Sequence, residues 1–352
     1  MAYTTINKPS EYFNTKLYTG NGGTNAITGV GFQPDFVWLK SRSEASTDHK
    51  LLDAVRGVPN FLSSNLTAAE ASTGSFNSID SDGFTVDTTN AAYNQSSATY
   101  ASWNWKANGA GSSNTDGSIT STVSANTTSG FSVVSWTGDG VGSTVGTGLS
   151  GSETIGFATV KKLSTTSEWQ TGVYGAYASN PRNFAYHLEL NSTSALSGAS
   201  PYMMTTQTDG DPSLLKLASE GYVSGVDYVA YVWKPVKGFS KMGTYTGNGS
   251  TDGTFVYTGF KPAFVMVKKS SAADSWLIKD NKRDPINQME KRIFPDLSNA
   301  EDTGAGGDFD FLSNGFKLRE NNGLNNGSGA TYIYMAFAEN PLVTTGKIPA
   351  TA

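Results

Sequence analysis

The chain has 352 residues, a formal net charge of −5 and no cysteine, and its 16% of charged residues lies well below the roughly 25% of ordinary soluble domains. Those values exclude disulfides, thiolate metal sites and a cysteine nucleophile, and without any basic run they argue against a nucleic-acid partner. No apolar run reaches the roughly 18 residues of a membrane-spanning helix, and the first residues lack the basic-then-apolar order of a secretory leader, so neither membrane insertion nor standard export is expected.

Along the chain, apolar runs of four to eight residues rich in Val, Ile, Thr, Tyr, Phe and Trp alternate with Gly, Asn, Asp and Pro, which predicts strands throughout. The first turn, Tyr18-Thr19-Gly20-Asn21-Gly22, precedes Gly31-Phe32-Gln33-Pro34 and the strand Phe36-Val37-Trp38-Leu39-Lys40. Leu51 to Arg56 predicts a short turn. Asp82-Gly83-Phe84-Thr85-Val86 and Thr99-Tyr100-Ala101-Ser102-Trp103-Asn104-Trp105 are further strands. A looser second copy runs from Trp136-Thr137-Gly138-Asp139-Gly140 through Phe157-Ala158-Thr159-Val160-Lys161 to Asp227-Tyr228-Val229-Ala230-Tyr231-Val232-Trp233. Within it Asp211-Pro212 carries a cap and a first-turn proline, predicting a helix over Asp211 to Leu217. The third copy repeats the first closely: Tyr245-Thr246-Gly247-Asn248-Gly249, Gly259-Phe260-Lys261-Pro262, Phe264-Val265-Met266-Val267-Lys268 and Thr331-Tyr332-Ile333-Tyr334-Met335-Ala336-Phe337. Even Leu66-Thr67-Ala68-Ala69-Glu70 echoes Leu297-Ser298-Asn299-Ala300-Glu301.

The offset between the outer copies grows only from 227 residues at Tyr18/Tyr245 to 232 at Tyr100/Tyr332. A pattern written three times is a building plan, and it predicts an all-β protein of three tandem β-sandwich domains of jelly-roll or lectin-like type. Their bounds are 1–108, a divergent 109–238, and 239–352 with a C-terminal arm. The stretch from Asn108 to Gly117 links the first two, and the short Lys234-Pro235-Val236-Lys237-Gly238 holds the last two close together.

Catalytic chemistry is hard to find. The two histidines, His49 and His187, have no neighbours at zinc-site spacing and predict no functional role, so no catalytic or metal residue and no cofactor is assigned. The glycine turns precede strands, not helices, so they are not phosphate loops. Asp80-Ser81-Asp82-Gly83 begins like a calcium loop but lacks the closing Glu. Six Asn-x-Ser/Thr triplets, at Asn65, Asn94, Asn126, Asn191, Asn248 and Asn326, are expected by chance in such a composition. Trp103, Trp105 and Trp233 read as core. Trp169 and Trp276, near turns, are candidates for stacking on a sugar face.

Several long stretches carry a resemblance: Lys8-Pro9-Ser10-Glu11-Tyr12-Phe13-Asn14-Thr15, Gly29 to Trp38, Trp103 to Gly111, and Tyr332 to Pro341. They resemble a repeat family in structural proteins of marine tailed phages, including cyanophages. The resemblance covers nearly the whole chain, and the middle copy departs most, with Gly148-Leu149-Ser150-Gly151-Ser152-Glu153 where the others have Gly-Phe-x-Pro. It implies a non-enzymatic virion protein on the particle exterior, made in the host cytoplasm. The first expectation is a tail fibre or spike for host attachment; the alternative is a capsid decoration protein that stabilises the head. A secreted carbohydrate-active enzyme is disfavoured, because no pair of carboxylates stands out. Expected partners are other virion proteins, a cell-surface glycan and further copies of the chain, most simply as a trimer.

Overall fold

In the computed structural model, which describes residues 4–142, 144–151, 154–173, 186–198, 213–304 and 306–343, the chain is all-β with several antiparallel sheets. The first copy builds a four-stranded main sheet in the order Phe13–Thr19, Thr99–Trp105, Phe36–Ser41, Lys50–Asp53. The third copy repeats that order with Ser240–Thr246, Thr331–Pro341, Phe260–Lys269, Trp276–Asp280. The middle copy contains the same four, Phe131–Thr137, Asp227–Trp233, Phe157–Lys162 and Gln170–Val173, inside a seven-stranded sheet. Registers coincide: Phe36, Phe157 and Phe264 face Trp105, Trp233 and Phe337, and on their other side Asp53, Val173 and Asp280. A smaller sheet covers each main sheet: Thr24–Ile27, Gly83–Asp87, Phe76–Asp80 in the first copy, Phe255–Tyr257, Gly315–Leu318, Phe309–Leu312 in the third, and Thr144–Gly146 with Leu214–Lys216 in the second.

Two local expectations change. Leu214–Lys216 is a strand and not part of a helix, because Val145 pairs with Leu215 and extended backbone completes the small sheet; Asp211 and Pro212 lie outside the described residues. Part of the supposed first linker, Ser112–Asn114, pairs with Ser121–Asn126 and extends the middle sheet. The C-terminal arm beyond residue 343 lies outside the described residues.

Alternation along the main strands explains why they are apolar on both parities. Val37 and Leu39 point into the first copy's own core with Phe76, Phe84 and Tyr100. Phe36 and Trp38 point the other way, into a cluster that draws on all three copies. Val265 and Val267 against Phe264 and Met266 divide in the same manner, as do Ala158 and Val160 against Phe157. The shared cluster is aromatic: Phe36 stacks on Tyr231 at 4.1 Å, and Trp105 meets Trp233 at 5.8 Å and Phe337 at 5.6 Å. Sequence patterning predicts three tandem sandwiches with the last two close together; the structure has three two-layer units whose inner faces close on one another around a common centre.

The repeated glycine turn is anchored from below. Gly20, Gly138 and Gly247 pass so close to a neighbouring backbone that a Cβ would lie 2.1, 2.2 and 2.4 Å from a carbonyl oxygen. A buried amide secures the outer two: Asn94 bonds Asn21 Oδ1 at 2.8 Å and Gly23 O at 2.6 Å, and Asn326 bonds Asn248 Oδ1 at 3.0 Å and Ser250 O at 2.8 Å. Ring pairs behind the turn match in all three copies: Tyr18 on Tyr100 at 4.8 Å, Trp136 on Tyr228 at 5.1 Å, Tyr245 on Tyr332 at 5.0 Å.

Because the inner cluster belongs to every copy, calorimetry should record one cooperative unfolding transition, not three. Trp105→Ala should cost about 3–5 kcal/mol, the usual range for emptying a buried aromatic site, and should lower that single transition as a whole; a shift confined to one of several resolved transitions would contradict the shared core.

Candidate functional site

The groups with the most chemistry lie in the seams between copies, and each seam repeats one plan. Four residues before Asp53, Val173 and Asp280 stand His49, Trp169 and Trp276, all fully buried. Each reaches a backbone carbonyl of another copy. His49 Nε2 lies 3.0 Å from Phe294 O, Trp169 Nε1 donates to Ser63 O at 2.8 Å, and Trp276 Nε1 donates to Glu189 O at 2.9 Å. Their own backbone N–H groups are held by Asn65, Asn191 and Asp296. The sugar-stacking role expected for Trp169 and Trp276 is therefore corrected: neither ring has a face open to a ligand, since both pack in the shared core. The sequence assigns His49 no role, and the structure shows its surroundings. Its Nδ1 accepts from Trp38 Nε1 at 2.9 Å, so it is a seam residue held neutral, and burial together with the nearby Lys40 ammonium keeps its pKa well below the ordinary value.

Three lysines occupy the next equivalent position. Lys40, Lys161 and Lys268 have no exposed surface, and each ammonium donates across a seam: to Ser298 O at 3.3 Å, Thr67 O at 2.9 Å and Thr193 O at 3.1 Å. Desolvation lowers each pKa from 10.5 to about 8. Backbone bonds close the seams beside them: Glu301 N to Arg42 O at 2.8 Å, Glu70 N to Leu163 O at 2.8 Å, and Leu196 N to Ser270 O at 3.0 Å. The echoing segments Leu66 to Glu70 and Leu297 to Glu301 are thus the clasps by which one copy grips the next.

The seams differ in their polar core. Asp53 binds Arg56 at 2.5 Å and accepts from Tyr231 of the middle copy at 2.9 Å. Asp280 binds Arg283 at 2.5 Å and accepts from Trp103 of the first copy at 3.0 Å. Arg42 and Glu301 add an ion pair across the latter seam. At the third seam both equivalents are apolar, Val173 and Met335, and both lie in the shared core. Carboxylate and donor were exchanged together, so neither is left alone in a dry environment.

Elsewhere the polar candidates are already occupied. Asp82 accepts from Gly29 N at 2.9 Å and Gly31 N at 2.6 Å, and Asp80 accepts from Thr85, so the calcium-like loop is tied to its own backbone and side chains. Among the described residues no group of three or more His, Asp or Glu is arranged to hold a metal ion. Asn94 and Asn326 are fully buried and fastened to the turns, which removes them as glycan acceptors. His187 is buried and its backbone exchanges hydrogen bonds with Ser197. Surface cavities among the described residues include one of about 500 Å³ beside Gln288, Asp310 and Arg319, one of about 400 Å³ beside Lys50, Phe61 and Tyr93, and one of about 320 Å³ beside Asn281, Lys282 and Glu339.

These features define a class: an all-β protein in which three internal repeats close on a shared aromatic core through cyclically equivalent seams. The chain belongs to the family described as a domain of unknown function (DUF7483), which matches residues 8–341 and so spans all three copies as one unit. A search of the curated proteins finds no match.

The seam lysines give a signed pH dependence. Unfolded lysines hold their protons up to about 10.5, whereas the folded ones release them near 8. The unfolded chain binds more protons between those values, so stability rises with pH there. Tyr18, Tyr231 and Tyr245, whose buried hydroxyls are held well above 10, reverse the trend once unfolded tyrosines ionise. The melting temperature should climb from pH 8 to about 10 and then fall. A flat or falling profile from 8 to 10 would contradict the buried lysines. Separately, Trp169→Phe removes the shorter of two hydrogen bonds to Ser63 O, which keeps the one from Leu66 N at 3.3 Å, and should cost about 0.5–1.5 kcal/mol in a denaturant titration.

Proposed function

We propose that this protein is a non-enzymatic component of a bacteriophage virion, on the particle exterior, acting as a tail fibre or spike-type appendage for attachment to the host surface. Each copy is then a sandwich of jelly-roll or lectin-like type, and the protein is made in the host cytoplasm before assembly. The observation that carries this reading is the cyclic equivalence of the three seams. Contacts that pass from copy to copy and return to the first describe a closed threefold arrangement. Such a body presents three similar surfaces towards one end, the geometry needed to sit on a threefold-symmetric partner made of other virion proteins. The resemblance to phage structural proteins supplies the particle, and the seam chemistry supports a scaffold in place of a reaction centre, because the buried histidine, lysines and carboxylates are spent on holding the copies together.

The same geometry also favours a capsid decoration protein, since local threefold positions recur across a head shell. The two readings differ in copy number. Quantitative densitometry of purified particles should find a few dozen copies or fewer; hundreds would move the protein to the shell, and none would remove it from the virion. The trimer expected of separate chains is, in this reading, supplied within one chain. Light scattering should then give a mass near 37.2 kDa at all working concentrations, and a mass three times larger would restore a trimer of chains.

A further inference from the structure

One core position carries a different residue in each copy, Lys50, Gln170 and Leu277. Lys50 stands where the third copy has Leu277, each pairing with the equivalent residue of the neighbouring strand, Leu39 or Val267. Leu277 is a fully buried core residue. Lys50 is only 9% exposed, yet among the described residues no carboxylate lies within ion-pair distance of its ammonium, Asp48 acting on it only from farther off; that ammonium reaches Ser63 Oγ at 3.5 Å and lies 4.3 Å from the Phe61 ring centre. Beside it Tyr93 takes the place of Asn325, each carbonyl receiving the equivalent tyrosine hydroxyl, Tyr18 or Tyr245. Tyr93 is 1% exposed, and its own hydroxyl has no hydrogen-bond partner among the described residues. Lys50, Phe61 and Tyr93 all line the cavity of about 400 Å³, with Asp48, Ser72 and Asn90 on its walls.

A buried ammonium and a buried hydroxyl without a full set of acceptors are costly, and a leucine is available to the fold at the same place. The other copies fill the position with glutamine and leucine, so the fold does not require an ammonium there. Both groups are donors, so the ligand must bring acceptors, and a carboxylate would supply the anion the ammonium lacks. The edge-on pair of Phe61 and Tyr93, 6.4 Å apart, offers an apolar wall for C–H groups. Asp48, Ser72 and Asn90 can answer hydroxyls.

We propose that this cavity is a binding site for an acidic saccharide, a pyranose carrying a carboxylate, with Lys50 and Tyr93 holding the carboxylate end and Phe61 against the ring. The inference names the ligand class for the attachment reading and rests on that reading only for where the ligand is displayed. The site itself is tested on the purified protein, so its failure would leave the particle reading standing.

The probe is a galacturonic acid disaccharide, titrated against the full chain by isothermal calorimetry and by ligand-observed NMR. A neutral hexose disaccharide and acetate are titrated alongside. The uronate should bind with a dissociation constant at or below about 1 mM, acetate and the neutral sugar each at least tenfold more weakly. Lys50→Leu installs the third copy's residue, so it should fold and melt higher than the parent while losing at least tenfold in affinity. Tyr93→Phe should lose about tenfold or more, as for one hydrogen bond to a charged group. No binding of the uronate overturns the proposal. So does unchanged affinity in both variants. Acetate binding as well as the uronate would overturn the saccharide and leave an anion site.

Discussion

Everything in this structure depends on main sheets that bury both faces. One face of each sheet is covered by the small sheet of its own copy, and the other carries large aromatic side chains, Phe36, Trp105, Tyr231, Trp233 and Phe337 among them, that only another copy can cover. Aromatic residues of that size dominate the energetics wherever they are buried. A single copy alone would expose them to water, and two copies would leave one side open. Three close the ring. The family boundary follows the same logic, since the matched segment spans all three copies and not one.

The seams show how a repeat protein handles polar groups in a dry place. Every backbone carbonyl that faces a seam at the equivalent position receives an N–H, from histidine in one case and tryptophan in two. The side chains differ in size and pKa but serve one geometric demand, a flat ring whose N–H reaches the neighbouring chain. Two seams keep a buried Asp–Arg pair with an aromatic donor, and the third replaces acceptor and donor by Val173 and Met335. Buried ion pairs and well-packed apolar pairs of like volume are close in net stability, whereas half of such a pair is costly. The polar seams also fix register, because an Asp can meet its Tyr or Trp donor in only one alignment.

Against that common frame, the copies also differ at positions that the seams do not account for. The frame explains Trp169, Trp276, His49 and the three seam lysines entirely through assembly. It does not explain Lys50 or Tyr93, whose equivalents in the third copy are Leu277 and Asn325.

The threefold repeat, the all-β character and the turn chemistry were legible in the residues, because turn glycines and β-branched runs are local properties of the chain. What covers the second face was not legible: Phe36 reads the same whether it meets its own sandwich or another copy, since the hydrophobic effect has no direction and carries no address. For the same reason Trp169 and Trp276 read as candidates for stacking on a sugar and His49 as a residue without a role, when their partners are carbonyls more than 80 residues distant in sequence. The echo of Leu66 to Glu70 in Leu297 to Glu301 was visible, but that it is a clasp was decided only by where the backbone N–H of Glu70 and Glu301 points. Lys50 was plain in the sequence as a charge beside a strand; only the pairing of that strand in tertiary structure turned it into a buried ammonium at the wall of a cavity, because burial is a property of what surrounds a residue and not of the residue itself.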